Sequence, residues 1–204
     1  YTSIHIGGEH SVKIIQKIDH YCEYKIIGKG NNLLISDTPP AMAILGDQFD
    51  YIFQKDGKLI VGAATSSGKL LQYCKRNNIA NFEFLTKLPG SIGGIVKMNG
   101  GLKQWEIFNH LDSIVTQNGK ILKKDIPHSY RETKIDGIIY EATFHIELGY
   151  DQELQKMFRK MRRNQPWTPS AGSCFKNPNI ANSCLLYTSP SPRDRTRSRM
   201  PSSA

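Results

Sequence analysis

Residues 82–101, FEFLTKLPGSIGGIVKMNGG, hold two glycine clusters about seven residues apart. Gly90, Gly93 and Gly94 form the first, Gly100 and Gly101 the second. Glycines at this density let a backbone lie close against a neighbour, because no Cβ stands in the way. The apolar run Ile92–Val96 predicts that the loop is buried and is not a flexible linker. Two uses remain open: a connection at a subdomain seam, or a backbone surface for a flat or phosphorylated ligand.

Outward from this stretch the chain reads as mixed α+β. Upstream, YKIIGKGNNLLISD (24–37) reads as strand, glycine turn, strand, stopped by Pro39-Pro40. YIFQKDGKLIVGA (51–63) reads as a hairpin around Asp56-Gly57. Residues 66–78 carry a serine cap, then Leu70, Leu71 and Cys74 at helical spacing, then a basic end. Downstream, 111–148 reads as three or four strands, with a turn at Asn118-Gly119 and IIYEATFHIEL (138–148) as a half-buried strand. DQELQKMFRKMRR (151–163) has an acidic start and a basic end, as a helix wants.

Composition narrows the class. The 204 residues are 39% apolar and include no run long enough for a membrane helix. Four scattered cysteines form no C-x-x-C pair, and the histidines show no ligand spacing, so neither a metal site nor a disulfide framework is expected. Cysteine usage of this kind suits the cytoplasm. Net charge is +9, but residues 185–204 hold four Arg and one Asp among Ser and Pro. That segment should be disordered. It resembles translated sequencing-adapter read-through and is expected to be a non-native tail, although an Arg/Ser RNA-binding segment is the other reading.

Four motifs could carry chemistry. Gly28-Lys29-Gly30-Asn31-Asn32 is either a tight turn or a nest of backbone N–H groups for a diphosphate. It is not a Rossmann fingerprint, since Leu33 stands at the third glycine position and a strand follows. The 82–101 stretch is the second motif. The third is Ser129-Tyr130-Arg131-Glu132, where Arg131 is either a surface ion-pair partner or a bidentate grip on a carboxylate. The fourth is AGSCFKNP (171–178). Cys174 lacks the context of a hydrolase nucleophile and Ser173 lacks G-x-S-x-G. Ser173 as a proton donor needs only placement.

Five segments in fixed order resemble the UDP-N-acetylenolpyruvoylglucosamine reductase (MurB) family. They are TSIHIGG, IIGKGNNLLISD, EFLTKLPGSIGGIVKMNGG, SYRET and QPWTPSAGSCFKNP, together spanning residues 2–178. The resemblance implies an FAD-binding domain of the vanillyl-alcohol oxidase/PCMH type over residues 1–160, with subdomains at about 1–37 and 38–160. A substrate-binding α+β domain would begin at 161–184. It implies that Gly28, Lys29, Gly30, Asn31, Asn32 and Leu33 contact the FAD diphosphate. Pro89, Gly90, Ser91, Gly93 and Gly94, with Asn99 and Gly100, would line the flavin.

By the same resemblance NADPH is the reductant, Arg131 stabilises the substrate carboxylate, and Ser173 is the proton donor. Tyr130, Gln165, Lys176 and Asn177 would hold the uridine diphosphate part. The partner is a nucleotide-sugar, with neither nucleic acid nor membrane involved. The family's C-terminal catalytic glutamate has no counterpart, since no glutamate follows Glu153. A truncated, inactive chain is therefore expected. Two alternatives stay open: another FAD-dependent oxidoreductase on the same cofactor fold, or a basic RNA-binding protein.

Overall fold

The first apolar strands join a sheet that their own sequence neighbours do not complete. In the computed structural model, which describes residues 3–5, 8–163 and Pro169, β1 is Val12–Ile15, β2 is Lys25–Ile26 and β3 is Met42–Leu45. β1 and β2 both pair with β3 in parallel. The expected second strand at 33–36 does not form, and Leu34 is 74% exposed. Its would-be partner is engaged elsewhere: Lys25 N–H donates to the Ala41 carbonyl at 2.8 Å and Ile27 N–H to that of Ala43 at 3.1 Å. A parallel partner cannot be reached through a tight turn, so the glycine loop opens a crossover, not a hairpin.

β4 (Ile52–Lys55) and β5 (Lys58–Gly62) make the expected hairpin. Asp56 and Gly57 sit at φ 51° and 69°, the paired positive values that the twist of a two-residue hairpin favours. Helix α1 (Ser67–Arg76) begins where Ser66 accepts from the Lys69 amide at 3.2 Å, and it buries Leu70 and Cys74 one turn apart. The glycine-rich stretch is partly helical, contrary to the loop expected there. Ile92–Lys97 forms α2, capped by Ser91, with Ile92, Ile95 and Val96 buried. A Cβ on Gly93 would lie 2.9 Å from the Ala63 Cβ, so here glycine lets a helix sit directly on the chain leaving β5.

β6 (Gly101–Leu102) and β7 (Trp105–Glu106) follow as a short ladder. β8 (Leu111–Thr116) and β9 (Gly119–Leu122) form the second expected hairpin. β10 (His128–Ser129) and β11 (Glu132–Thr133) form a third, with Tyr130-Arg131 at its tip. β12 (Ile139–His145) and α3 (Gln152–Met161) close the described part, Asp151 capping α3 by accepting from the Glu153 and Leu154 amides. All of this lies in the first of the chain's two compact units, Tyr1–Gly172.

The main sheet has the order β4-β5-β12-β8-β9 and is antiparallel throughout. β12 is its centre, so the expected half-buried strand is instead buried on both faces: Ile139, Ala142, Phe144 and Tyr140 are each at most 6% exposed. A register shift between Ile139 and Glu141 places an extra residue opposite β8. That residue, Tyr140, joins a second small core with Ile15, Ala43 and Phe49. Its ring lies 5.1 Å from Phe49 and its hydroxyl donates to the Asp19 carbonyl at 2.9 Å. β12 thereby ties the parallel sheet to the larger core. α3 docks through Phe158, fully buried and edge-on to Trp105 at 5.0 Å. Burying one Phe side chain contributes about 1.5–3 kcal/mol.

Candidate functional site

The site grows from the loop that leaves α2. Asn99 is completely buried and held at φ 44°, a left-handed value that asparagine tolerates better than most residues. Its amide nitrogen donates to Glu106 Oε2 at 2.7 Å and to the Ser129 carbonyl at 3.1 Å. Its side-chain oxygen accepts from the Phe108 amide at 3.4 Å. Next, Gly101 meets a steric demand: a Cβ there would stand 2.0 Å from the Trp105 carbonyl oxygen. Only glycine lets β6 and β7 approach so closely.

Arg131 is half-buried at the tip of the β10–β11 hairpin, at φ 58°. It donates from Nη1 to the Asn99 carbonyl at 3.2 Å and from Nη2 to the Gly101 carbonyl at 2.5 Å. The Tyr130 ring lies 5.1 Å from its Cζ. The hairpin is fastened again further along. Thr133 Oγ1 donates to the Lys97 carbonyl at 2.6 Å, and Lys97 Nζ donates to the Ile135 carbonyl at 2.5 Å. His128 is fixed by its ring, tilted against Phe108 at 4.5 Å, and by a 2.8 Å hydrogen bond between Nδ1 and the Ile126 carbonyl. The arginine is thus held by backbone carbonyls, which carry no net charge.

Two further segments reach this place. A Cβ on Gly28 would fall 3.0 Å from Ser91 Oγ, and Asn32 Nδ2 donates to Met98 Sδ at 3.2 Å. The GKGNN loop therefore lies against both ends of α2. Ile27 and Gly30 close its turn with a 3.0 Å backbone hydrogen bond. The amides of Lys29, Asn31 and Asn32 make no hydrogen bond to another described residue. Backbone amides along a glycine turn, here with Lys29 and Asn32 exposed, are donors of the kind that a diphosphate takes.

Three of the sequence-selected motifs therefore converge: the GKGNN loop, the stretch from Ser91 to Gly101, and Tyr130-Arg131. Some selected residues have another evident task. Gly90 accepts from the Ser67 amide at 3.0 Å, tying the loop to α1. Gly93 and Gly100 make room for Ala63 and Ile95 respectively. Pro89 and Gly94 are exposed, and Leu33 is half-buried. Ser173, Gln165, Lys176 and Asn177 lie outside the described residues, as does the 185–204 tail.

Sequence reasoning missed Glu106 and Arg162. Arg162 ends α3 and is 6% exposed, and its Nε has no hydrogen-bond partner among the described residues. Burial, and then the nearby Arg131 charge, push its guanidinium below the ordinary value. Nothing local in the sequence separates Arg162 from Arg159 or Arg163. Glu106 gave no signal, because its partner lies across a ladder. Among the described residues no group of acidic, His or Cys side chains could hold a metal ion. No described helix is long and apolar enough to cross a membrane.

No protein-family model matches the chain. The UDP-N-acetylenolpyruvoylglucosamine reductase of Helicobacter hepaticus is 42% identical, the match covering 87% of this chain and 70% of that protein. The enzyme of the same name from Campylobacter jejuni strain RM1221 is 38% identical over the same shares. The crystal structure of UDP-N-acetylenolpyruvylglucosamine reductase (MurB) from Thermus caldophilus aligns with a TM-score of 0.76. It is 24% identical, and the match covers 91% of this chain and 75% of that one, a likeness of fold.

Proposed function

The chain belongs to the UDP-N-acetylenolpyruvoylglucosamine reductase family, and from that premise we propose how its residues serve the reaction. The family places it as an oxidoreductase of peptidoglycan precursor synthesis. The substrate is the enolpyruvyl ether of UDP-N-acetylglucosamine and the product UDP-N-acetylmuramate. The reduction adds a hydride to the β-carbon of the enolpyruvyl group and a proton to the α-carbon, while NADPH is oxidised.

A bound FAD, reduced by NADPH, would supply the hydride. The amides of Lys29, Asn31 and Asn32, which make no hydrogen bond among the described residues, suit its diphosphate, and the backbone from Ser91 to Gly100 suits its flat ring. Arg131 would hold the substrate carboxylate as negative charge grows on it. Donors fixed before the reaction need not reorganise during it, which is why they lower the barrier. Ser173 would donate the proton that the α-carbon takes up. Tyr130, Gln165, Lys176 and Asn177 would hold the uridine diphosphate, and the reaction would run in the cytoplasm.

The observation that carries this reading is the docking of Arg131 on the Asn99 and Gly101 carbonyls, on the same 91–101 stretch that the GKGNN loop touches. Its test is direct. The purified protein is titrated with FAD while flavin fluorescence is followed. NADPH and the enolpyruvyl substrate are then added, and product is read by mass spectrometry. Saturable flavin binding, and product that needs both NADPH and Arg131, would support the reading, and product made by this chain would overturn the expectation that it is inactive. Flavin binding unchanged when Lys29-Gly30-Asn31 is replaced by three alanines would overturn the cofactor assignment.

A further inference from the structure

The guanidinium of Arg131 is placed by residues about thirty positions away. Its hairpin tip has a left-handed φ that disfavours arginine, so local sequence does not hold it there. Asn99 holds both sides of that tip. Its amide nitrogen donates to the Ser129 carbonyl, two residues before Arg131, and its own carbonyl accepts from Arg131 Nη1. Glu106 in turn holds Asn99, accepting the same amide nitrogen at 2.7 Å. Glu106 is also the ladder partner of Gly101, whose carbonyl takes Arg131 Nη2. One residue therefore bears on both carbonyls that grip the arginine, on that of Asn99 through its carboxylate and on that of Gly101 through its backbone pairing.

We propose that Glu106 and Asn99 are positioning residues for Arg131, a relay from carboxylate to amide to carbonyl to guanidinium that sets the arginine's angle toward a substrate carboxylate. The inference rests on the reading of Arg131 given above. Physical reasons favour a carboxylate at the base of the relay. An ionised acceptor makes a shorter, stronger hydrogen bond than a neutral one. It also fixes which end of the Asn99 amide faces Ser129, since only the nitrogen can donate to a carboxylate. A reversed amide would set its oxygen against the Ser129 carbonyl and loosen the tip.

The test follows the guanidinium itself. Protein labelled with 15N-arginine is compared as the parent, Glu106→Gln and Glu106→Ala, with Arg131→Lys used to assign the signal. A guanidinium held on two carbonyls rotates slowly about Nε–Cζ and shows separate Nη signals. Rotation should quicken slightly in Glu106→Gln, which keeps an acceptor, and the signals should merge in Glu106→Ala. In turnover, Glu106→Ala should lose on the order of 10²-fold in kcat, as small misplacements of a catalytic group do. Its KM should hold, and Glu106→Gln should recover most of the loss.

Equal rotation in all three proteins would overturn the relay, and Glu106→Gln decides alone if the alanine variant does not fold. A parallel fall in kcat and rise in KM, with rotation unchanged, would mark Glu106 as a staple of the fold and also overturn it. Normal turnover by Arg131→Lys would sink the reading beneath the inference. That outcome is distinct from failure of the relay, which leaves Arg131 essential and equally ordered in every Glu106 variant.

Discussion

Two of the two-residue hairpin tips in this molecule obey opposite rules. The β4–β5 tip is Asp56-Gly57, with both φ values positive and residues that accept them. The β10–β11 tip is Tyr130-Arg131, with Arg131 at φ 58°. A turn with positive φ at its second position normally takes glycine or asparagine there. The first hairpin is made by its own turn and by strand pairing. The second has two residue pairs in its ladder and is made by docking onto the 97–101 loop. Departures from local rules gather where function constrains a side chain, because surrounding contacts must over-determine the strained residue.

Giving the second tip the residue its turn prefers tests this contrast most strongly. Arg131→Gly should lower kcat by about 10²–10³-fold, the loss typical when a preorganised donor is removed. Stability should hardly move. Relief of left-handed strain is worth about 1–2 kcal/mol, and two lost hydrogen bonds cost about 1 kcal/mol each. Melting curves and steady-state kinetics on the same preparation would separate the two readouts. A large drop in melting temperature would mean that the arginine is chiefly structural.

The complementary change at the first tip should do the reverse. Gly57→Val places a β-branched residue at φ 69°. It should cost about 1–2 kcal/mol in urea unfolding and leave substrate KM unchanged. A change in KM would show that the two hairpins are coupled.

The smallest effect concerns pH, and it belongs to the sheet end of the molecule and not to the Arg131 tip. Burial holds His110 below its ordinary 6.5. The unfolded chain therefore takes up a proton first as pH falls below 6.5, and stability drops through that window. Asp112 is held below 3.8, first by its hydrogen bond from Lys58, at 2.8 Å. Its contribution is complete above 3.8 and is lost as pH falls through its folded value. Unfolding midpoints should thus decline from neutral pH downward in two steps, and His110→Asn should flatten the upper one. An unchanged upper step in that variant would remove His110 from the account.

Much of the fold could be read locally. Asp56-Gly57 announced its hairpin, Asn118-Gly119 announced another whose tip falls one residue earlier at Gln117-Asn118, and Ser66 and Asp151 announced helices α1 and α3, because these signals act within four residues. The sheet joining β1, β2 and β3 could not be read, since parallel partners are set by crossovers. The short helix α2 was hidden behind two glycines that serve packing against Ala63. At the candidate site, the glycine loops and Arg131 stood out by residue type. Glu106 and Arg162 did not, because their significance lies in what they meet across the fold.

The α+β class, most of the turns, the caps and the short list of residues able to hold a phosphate or a carboxylate are written in the residue string alone. Backbone conformational preference and residue chemistry are local properties, and a string of residues displays them. Only the tertiary structure decided that Gly28 rests on Ser91, that Asn32 reaches Met98, and that Arg131 is aimed by carbonyls of a distant loop. Those relations depend on burial and register between segments far apart in the chain, and they exist only once the core has closed.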